Sequence, residues 1–217
     1  MGGAEAAIVV SEPDYIAIEV PPGSGIAEVR ATFGKIFNAK DLLAADRAQF
    51  DELFEDGATF GIGNLKVRVI STRGHTPACV TYVIGDACFV GDTMFMPDSG
   101  TARCDFPGGD AKQLFDSLQK IIGLPEDMRL FVCHDYGAGG TRDFAWETTV
   151  GDQRDNNIHI GGGTAEDDYL KMRRERDATL SLPRLIVPAV QVNMRAGIFP
   201  PAEENGTSYI KVPLNVF

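Results

Sequence analysis

Histidine is scarce in this chain. Among 217 residues there are three, His75, His134 and His159, and none precedes residue 75. The four cysteines, Cys79, Cys88, Cys104 and Cys133, form no Cys-x-x-Cys pair. At this length and composition a disulfide framework is not expected, and buried, reduced thiols in a cytoplasmic protein are. Cys104, between Arg103 and Asp105, lies nearest the chemistry, but no histidine stands beside it in sequence to activate it as a nucleophile. No G-x-S-x-G occurs, which argues against a serine hydrolase. Gly161-Gly162-Gly163 is not followed by Lys-Ser/Thr, so it is no phosphate loop.

Other shortages bound the class. Lys and Arg number 20 against 31 Asp and Glu, a net charge of −11. A nucleic-acid partner wants a basic face, so none is expected. No apolar run approaches the ~20 residues that span a bilayer. The N-terminal residues lack the basic start and long apolar core of a secretory signal, and residue 6 is Ala where a myristoylation signal has Ser or Thr. No membrane partner is expected.

What is present reads as α/β. Ile8-Val9-Val10 and Tyr15-Ile16-Ala17-Ile18-Glu19-Val20 suggest two short strands parted by Pro13. Residues 25–33 and 40–54 carry helical patterns. Phe60-Gly61-Ile62, Gly63-Asn64 and the run 65–70 predict a hairpin, and a second hairpin spans 79–84 and 87–90 around Gly85-Asp86. Asp110 should cap a helix over 111–122, with Leu114, Leu118 and Ile121 on one face and Gly123 as its stop. Leu130-Phe131-Val132-Cys133 predicts a buried strand. Helical segments are expected over 144–156 and from Thr164 to about residue 180. The prolines 183, 188, 200, 201 and 213 suggest an extended tail.

Three predicted strands end in polar clusters of one kind. Gly74-His75-Thr76, Gly91-Asp92-Thr93 and His134-Asp135-Tyr136 each place a possible metal donor just past an apolar run. Two imidazoles and a carboxylate brought together would suit a transition metal. His75, Asp92 and His134 are therefore the candidate metal ligands, with His75 and Asp92 the candidate catalytic residues. His159 lies far from these motifs and is read as structural or exposed.

The stretches Ser71-Thr72-Arg73-Gly74-His75-Thr76-Pro77, Phe89-Val90-Gly91-Asp92-Thr93-Met94-Phe95, Arg103-Cys104-Asp105-Phe106-Pro107-Gly108-Gly109-Asp110, His134-Asp135-Tyr136 and Asn193-Met194-Arg195-Ala196-Gly197 occur in one order. In this the chain resembles the metallo-β-lactamase superfamily, in its persulfide dioxygenase and glyoxalase II-like branch. The resemblance covers residues 23–217 and leaves 1–22 as an atypical lead. It implies an αββα sandwich, N-terminally truncated or remodelled, because the family's H-x-H-x-D-H motif does not occur in this sequence. It implies Fe(II) or Zn(II), at less than full occupancy, on His75, Asp92 and His134. In persulfide dioxygenases one Fe(II) is held by two His and one Asp; in the hydrolase relatives paired metals share the Asp. The resemblance places Arg103, Tyr136 and Arg195 near a small-molecule thiol substrate such as glutathione persulfide.

Three readings follow. The first is an iron-dependent dioxygenase converting glutathione persulfide and O2 to sulfite and glutathione. The second is a zinc-dependent thioester hydrolase. The third is a non-catalytic relative serving as an oligomeric or binding scaffold. A bared sheet edge would be covered by residues 1–22 or by a second subunit, so a homo-oligomer is expected.

Overall fold

The computed structural model describes residues 8–9, 16–17, 25–39, 41, 54–183, 185–195 and 197–214. Most of the lead 1–22 and most of the expected helical segment 40–54 lie outside the described residues. Strands β1 (Ile8–Val9) and β2 (Ile16–Ala17) form an antiparallel pair. Helix α1 (Gly25–Ile36) follows, and Arg30 Nε donates to Met194 O at 3.2 Å, tying it to the C-terminal region.

The body is a six-stranded sheet in the order β3-β4-β5-β6-β7-β8. These strands are β3 (Thr59–Ile62), β4 (Leu65–Ser71), β5 (Val80–Ile84), β6 (Ala87–Phe89), β7 (Arg129–Phe131) and β8 (Glu147–Thr149). Both expected hairpins are present, with Ile62 paired to Leu65 and Ile84 to Ala87. Helix α2 (Ala111–Ile122) starts at Asp110, whose carboxylate accepts from Gln113 N at 2.7 Å. Its buried Leu114, Leu118 and Ile121 meet Ile70, Val83, Cys88 and Leu130 in the main core. α3 (Val150–Asn156) and α4 (Glu166–Asp177) add Val150 and Tyr169 to the same core. Val67, Val69, Val80 and Tyr82 form a smaller cluster with Phe54, because alternate strand residues point to opposite sides of the sheet.

Three expectations change. Residues 147–149 pair with β7 as a strand, and the helix begins only at Val150, where Thr149 accepts from Asp152 N at 3.1 Å. Two consecutive threonines favour a strand, and the second then caps the helix. Thr164 does not cap α4: its hydroxyl donates to Gly161 O at 2.9 Å, and the helix starts at Glu166. The proline-rich tail contains helix α5 (Ile186–Asn193). Pro188 is its third residue, where a backbone N–H would have no intrahelical partner to lose.

Strand direction decides what meets where. β5 is antiparallel to both β4 and β6, and β6 is parallel to β7. β4, β6 and β7 therefore run the same way, and their C-terminal ends share one end of the sheet. Among the described residues no helix is long and apolar enough to cross a membrane.

Candidate functional site

The three polar clusters follow β4, β6 and β7, so the sheet itself gathers them. After β4 the chain turns at Gly74, with φ +135°. A Cβ there would sit 2.3 Å from the backbone of Leu114, so only glycine lets α2 press this close. Asp110 N donates to Gly74 O at 2.9 Å, and Ser117 Oγ donates to Arg73 O at 2.6 Å. The bend is thereby fixed and His75 is left buried, with its ring edge-on to Phe106.

His75 Nδ1 lies 2.6 Å from the carbonyl oxygen of Arg103. A carbonyl only accepts, so Nδ1 carries a proton, and the tautomer this selects leaves Nε2 bare. That Nε2 faces Asp92 Oδ2 at 3.9 Å. Asp92 sits in the one-turn 3₁₀ helix Gly91–Thr93. Thr93 Oγ1 holds this turn to the end of β4, donating to Thr72 O at 3.3 Å or Thr72 Oγ1 at 3.2 Å. The second carboxylate oxygen, Oδ1, is 3.2 Å from His134 Nε2 but accepts no hydrogen bond. Among the described residues it is the one buried side-chain nitrogen or oxygen in that condition.

An imidazole lone pair facing a carboxylate, beside a buried oxygen with nothing to satisfy it, calls for a cation. Each side of Asp92 offers one imidazole nitrogen and one carboxylate oxygen, two donors where a catalytic zinc site has three protein ligands. Among the described residues no set of three or more His, Cys, Asp and Glu is arranged around a single ion.

Asp135, next to His134, is committed elsewhere. Arg142 Nη1 and Nη2 bond its two oxygens at 2.6 and 2.9 Å, and Ala145 N donates at 2.7 Å. The Arg142 hydrogen bonds, against the opposing effect of burial, hold its carboxyl at about 2. Asp135 thus anchors the loop that carries His134.

His75, Asp92, His134, Arg103 and Tyr136 all line one pocket of about 540 Å³. Arg195 does not join them. It is buried beside a separate cavity of about 790 Å³, where its guanidinium meets Asp41 at 2.7 and 3.0 Å. Arg103 lines the pocket with its guanidinium already engaged, bonding Asp105 through Nε and Nη2 at 2.6 Å each and Ser181 O at 2.7 Å. Tyr136 is exposed at the rim, its ring edge-on to Phe95.

Sequence reasoning missed what supports the wall. Thr101 N donates to His159 Nδ1 at 2.8 Å, so His159 is buried and structural. Burial, reinforced by Arg173 and Arg176, pushes its pKa down to about 4. Arg173, also buried, donates to Thr101 O at 3.1 Å and pairs with Asp177 at 2.6 Å. Asp177 in turn accepts from Cys104 N at 3.0 Å and from its thiol at 3.3 Å. Burial and then this hydrogen bond raise the Cys104 thiol to about 12, which rules it out as a nucleophile near neutral pH. The network fixes residues 101–104, and with them the carbonyl that sets the His75 tautomer. Its links to residues 101–104 span 58 to 73 residues in sequence, and only the Arg173–Asp177 pair is local. The thiols are all free, but Cys133 is exposed, contrary to the expectation that all are buried, because its strand ends at Phe131.

A model of the metallo-beta-lactamase superfamily matches residues 10–134. The chain belongs to this superfamily. Glyoxylase B2 of Dictyostelium discoideum is 54% identical over 194 residues, covering 89% of this chain and 66% of that protein. The mitochondrial persulfide dioxygenase ETHE1 of Homo sapiens is 33% identical over 157 residues, covering 71% of this chain and 57% of that protein. The crystal structure of ETHE1 from Myxococcus xanthus superposes with a TM-score of 0.62 at 26% identity, over 71% of this chain and 64% of that one. The chain spans less than two thirds of the length of each. The metallo-β-lactamase-like α/β fold expected from the sequence is borne out.

Proposed function

We propose that this superfamily member is a metal-dependent hydrolase acting on a thioester of a small thiol. The observation that carries the reading is the division of Asp92 between two histidines, Oδ2 toward His75 and Oδ1 toward His134. One carboxylate serving two imidazoles on different oxygens suits two adjacent ions better than one. His75 with Asp92 Oδ2 would hold the first, and His134 with Asp92 Oδ1 the second. Zn(II), if held by these residues, would supply Lewis-acid activation and a hydroxide nucleophile at neutral pH. The chain's own residues do the rest. The Arg103 carbonyl keeps the proton of His75 on Nδ1, away from the metal side. Phe95 and Phe106 wall the pocket against water, and the exposed Tyr136 offers its hydroxyl to a substrate at the rim. The 54% identity to Glyoxylase B2 supports this reading.

The iron-dependent dioxygenase reading stands second. It is supported by the likeness of residues 101–110 and by the 33% identity to a persulfide dioxygenase. Purification without chelators, metal analysis and two assays separate them. Hydrolysis predicts zinc and release of thiol from a thioester, lost more than about 100-fold in Asp92→Ala. Oxygen uptake on glutathione persulfide after anaerobic Fe(II) loading, with no thiol release, would replace this reading by the dioxygenase. Neither activity in metal-loaded protein would leave the scaffold reading.

A further inference from the structure

Near its C-terminal end the chain presents an open backbone edge. Lys211 N donates to Gln191 Oε1, and Lys211 O accepts from Gln191 Nε2, both at 2.9 Å. Gln191 is buried in α5, so its amide holds the tail as a neighbouring strand would. A residue whose N–H and C=O point the same way has extended backbone. The planar peptide bonds on either side then turn Ile210 O and Val212 N the opposite way. Neither group makes a hydrogen bond with a described residue. Exposure alternates in step. Lys211 and Pro213 are half-buried, while Ile210, Val212 and Leu214 are 38%, 65% and 93% exposed.

Folded proteins guard such an edge with a charge, a proline or a covering element. Among the described residues none does so here. The Lys211 ammonium is held by Glu203 at 3.4 Å. Pro213 shares the parity of Lys211, so the N–H it lacks belongs to the edge that Gln191 occupies and not to the open one. Lys211 is also the single charged side chain in residues 208–214, within a chain of net charge −11. An acidic molecule repels its own copy, and along this stretch that repulsion is weakest.

We propose that residues 208–214 pair antiparallel with the same residues of a second copy of this chain, about a two-fold axis at Val212. Val212 N–H then donates to Val212 O of the other copy, and the reverse, as an isologous contact requires. Ile210 lies opposite Leu214, and Lys211 opposite Pro213. A register centred on Lys211 would set two ammonium groups against each other. One centred on Ile210 would leave Leu214, the most exposed of the three, without an apolar neighbour. Two short strands bury less than a standard interface, so the dimer should be reversible, with a dissociation constant on the order of 10 µM.

Sedimentation velocity over concentrations that bracket this constant is the test. It uses neither metal nor substrate, so it stands apart from the hydrolase reading. The wild type should pass from monomer to dimer as concentration rises. Val212→Lys and Val212→Glu should each stay monomeric, because the axis sets every new charge against its own copy. An equimolar mixture of the two variants should recover the dimer. Val212 is largely exposed, so both variants should fold, and thermal melts at low concentration check this. A wild type that is monomeric throughout overturns the proposal, and so does a Val212→Lys protein that still dimerises. A mixture that stays monomeric overturns it too, since the two-fold axis would then not pass through residue 212.

Discussion

His75 and His159 are buried to the same degree, each 6% exposed, and both make a short hydrogen bond through Nδ1. The partners are opposite. His75 meets a carbonyl, so its proton sits on Nδ1 and its Nε2 is bare. His159 meets a backbone N–H, so its Nδ1 is the acceptor and its proton sits on Nε2. One ring is left ready for a cation; the other is consumed in holding a loop. The backbone group beside each ring makes this distinction, since burial and residue type are identical. The two are also coupled, because His159 grips Thr101 and the carbonyl that orients His75 belongs to Arg103, two residues on.

The strongest way to break the comparison is to remove each ring in turn. His75→Ala should lower metal uptake and activity more than about 100-fold, and its cavity and unpaired Arg103 carbonyl should also cost about 2–3 kcal/mol. His159→Ala should cost about the same, through its own cavity and the unpaired Thr101 N–H, while the folded fraction still takes up metal. Metal analysis beside denaturant titration reads both. Equal loss of metal in the two variants would erase the distinction.

Gly100 sharpens it from the supporting side. A Cβ at this residue would lie 2.2 Å from His159 Nδ1, at a φ of +85°. Gly100→Ala should cost about 3 kcal/mol, from left-handed strain plus displacement of the ring. The loss should be much smaller when His159 is already Ala, and a double-mutant cycle by denaturant titration measures that coupling.

The smallest expected effect is on pH. The folded-state pKa of His159 is depressed from 6.5 to about 4, by burial first and then by Arg173 and Arg176, with Asp177 opposing. Above about pH 6.5 the ring is neutral in both the folded and the unfolded chain and contributes no pH dependence. As pH falls from 6.5 toward 4, the unfolded chain takes up a proton that the folded chain refuses, so stability drops, by on the order of 2–3 kcal/mol over the window. Below about 4 this contribution levels off. His159→Asn, which keeps a side-chain acceptor for the Thr101 amide, should flatten that part of the stability–pH curve. An unchanged curve would place the depressed titration elsewhere.

The sequence carried the donors well. Apolar runs followed by Gly-His, Gly-Asp and His-Asp mark strand ends, and the common direction of β4, β6 and β7 turns those ends into one pocket. The cap at Asp110 and both hairpins were legible too, because each depends on residues a few positions apart. The separation of Arg195 from the pocket was not, since its partner Asp41 is 154 residues away. Nor was α5, where proline reads as a breaker until its place in the first turn is known.

The placement of all three donors at the outgoing ends of co-directional strands has an evolutionary meaning. At that end of the sheet, a loop can be lengthened, shortened or exchanged without breaking a rung of the ladder beneath it. Selection can thus retarget the pocket toward new molecules by rewriting its rim, while the imidazoles and the shared acid stay where the strands deliver them.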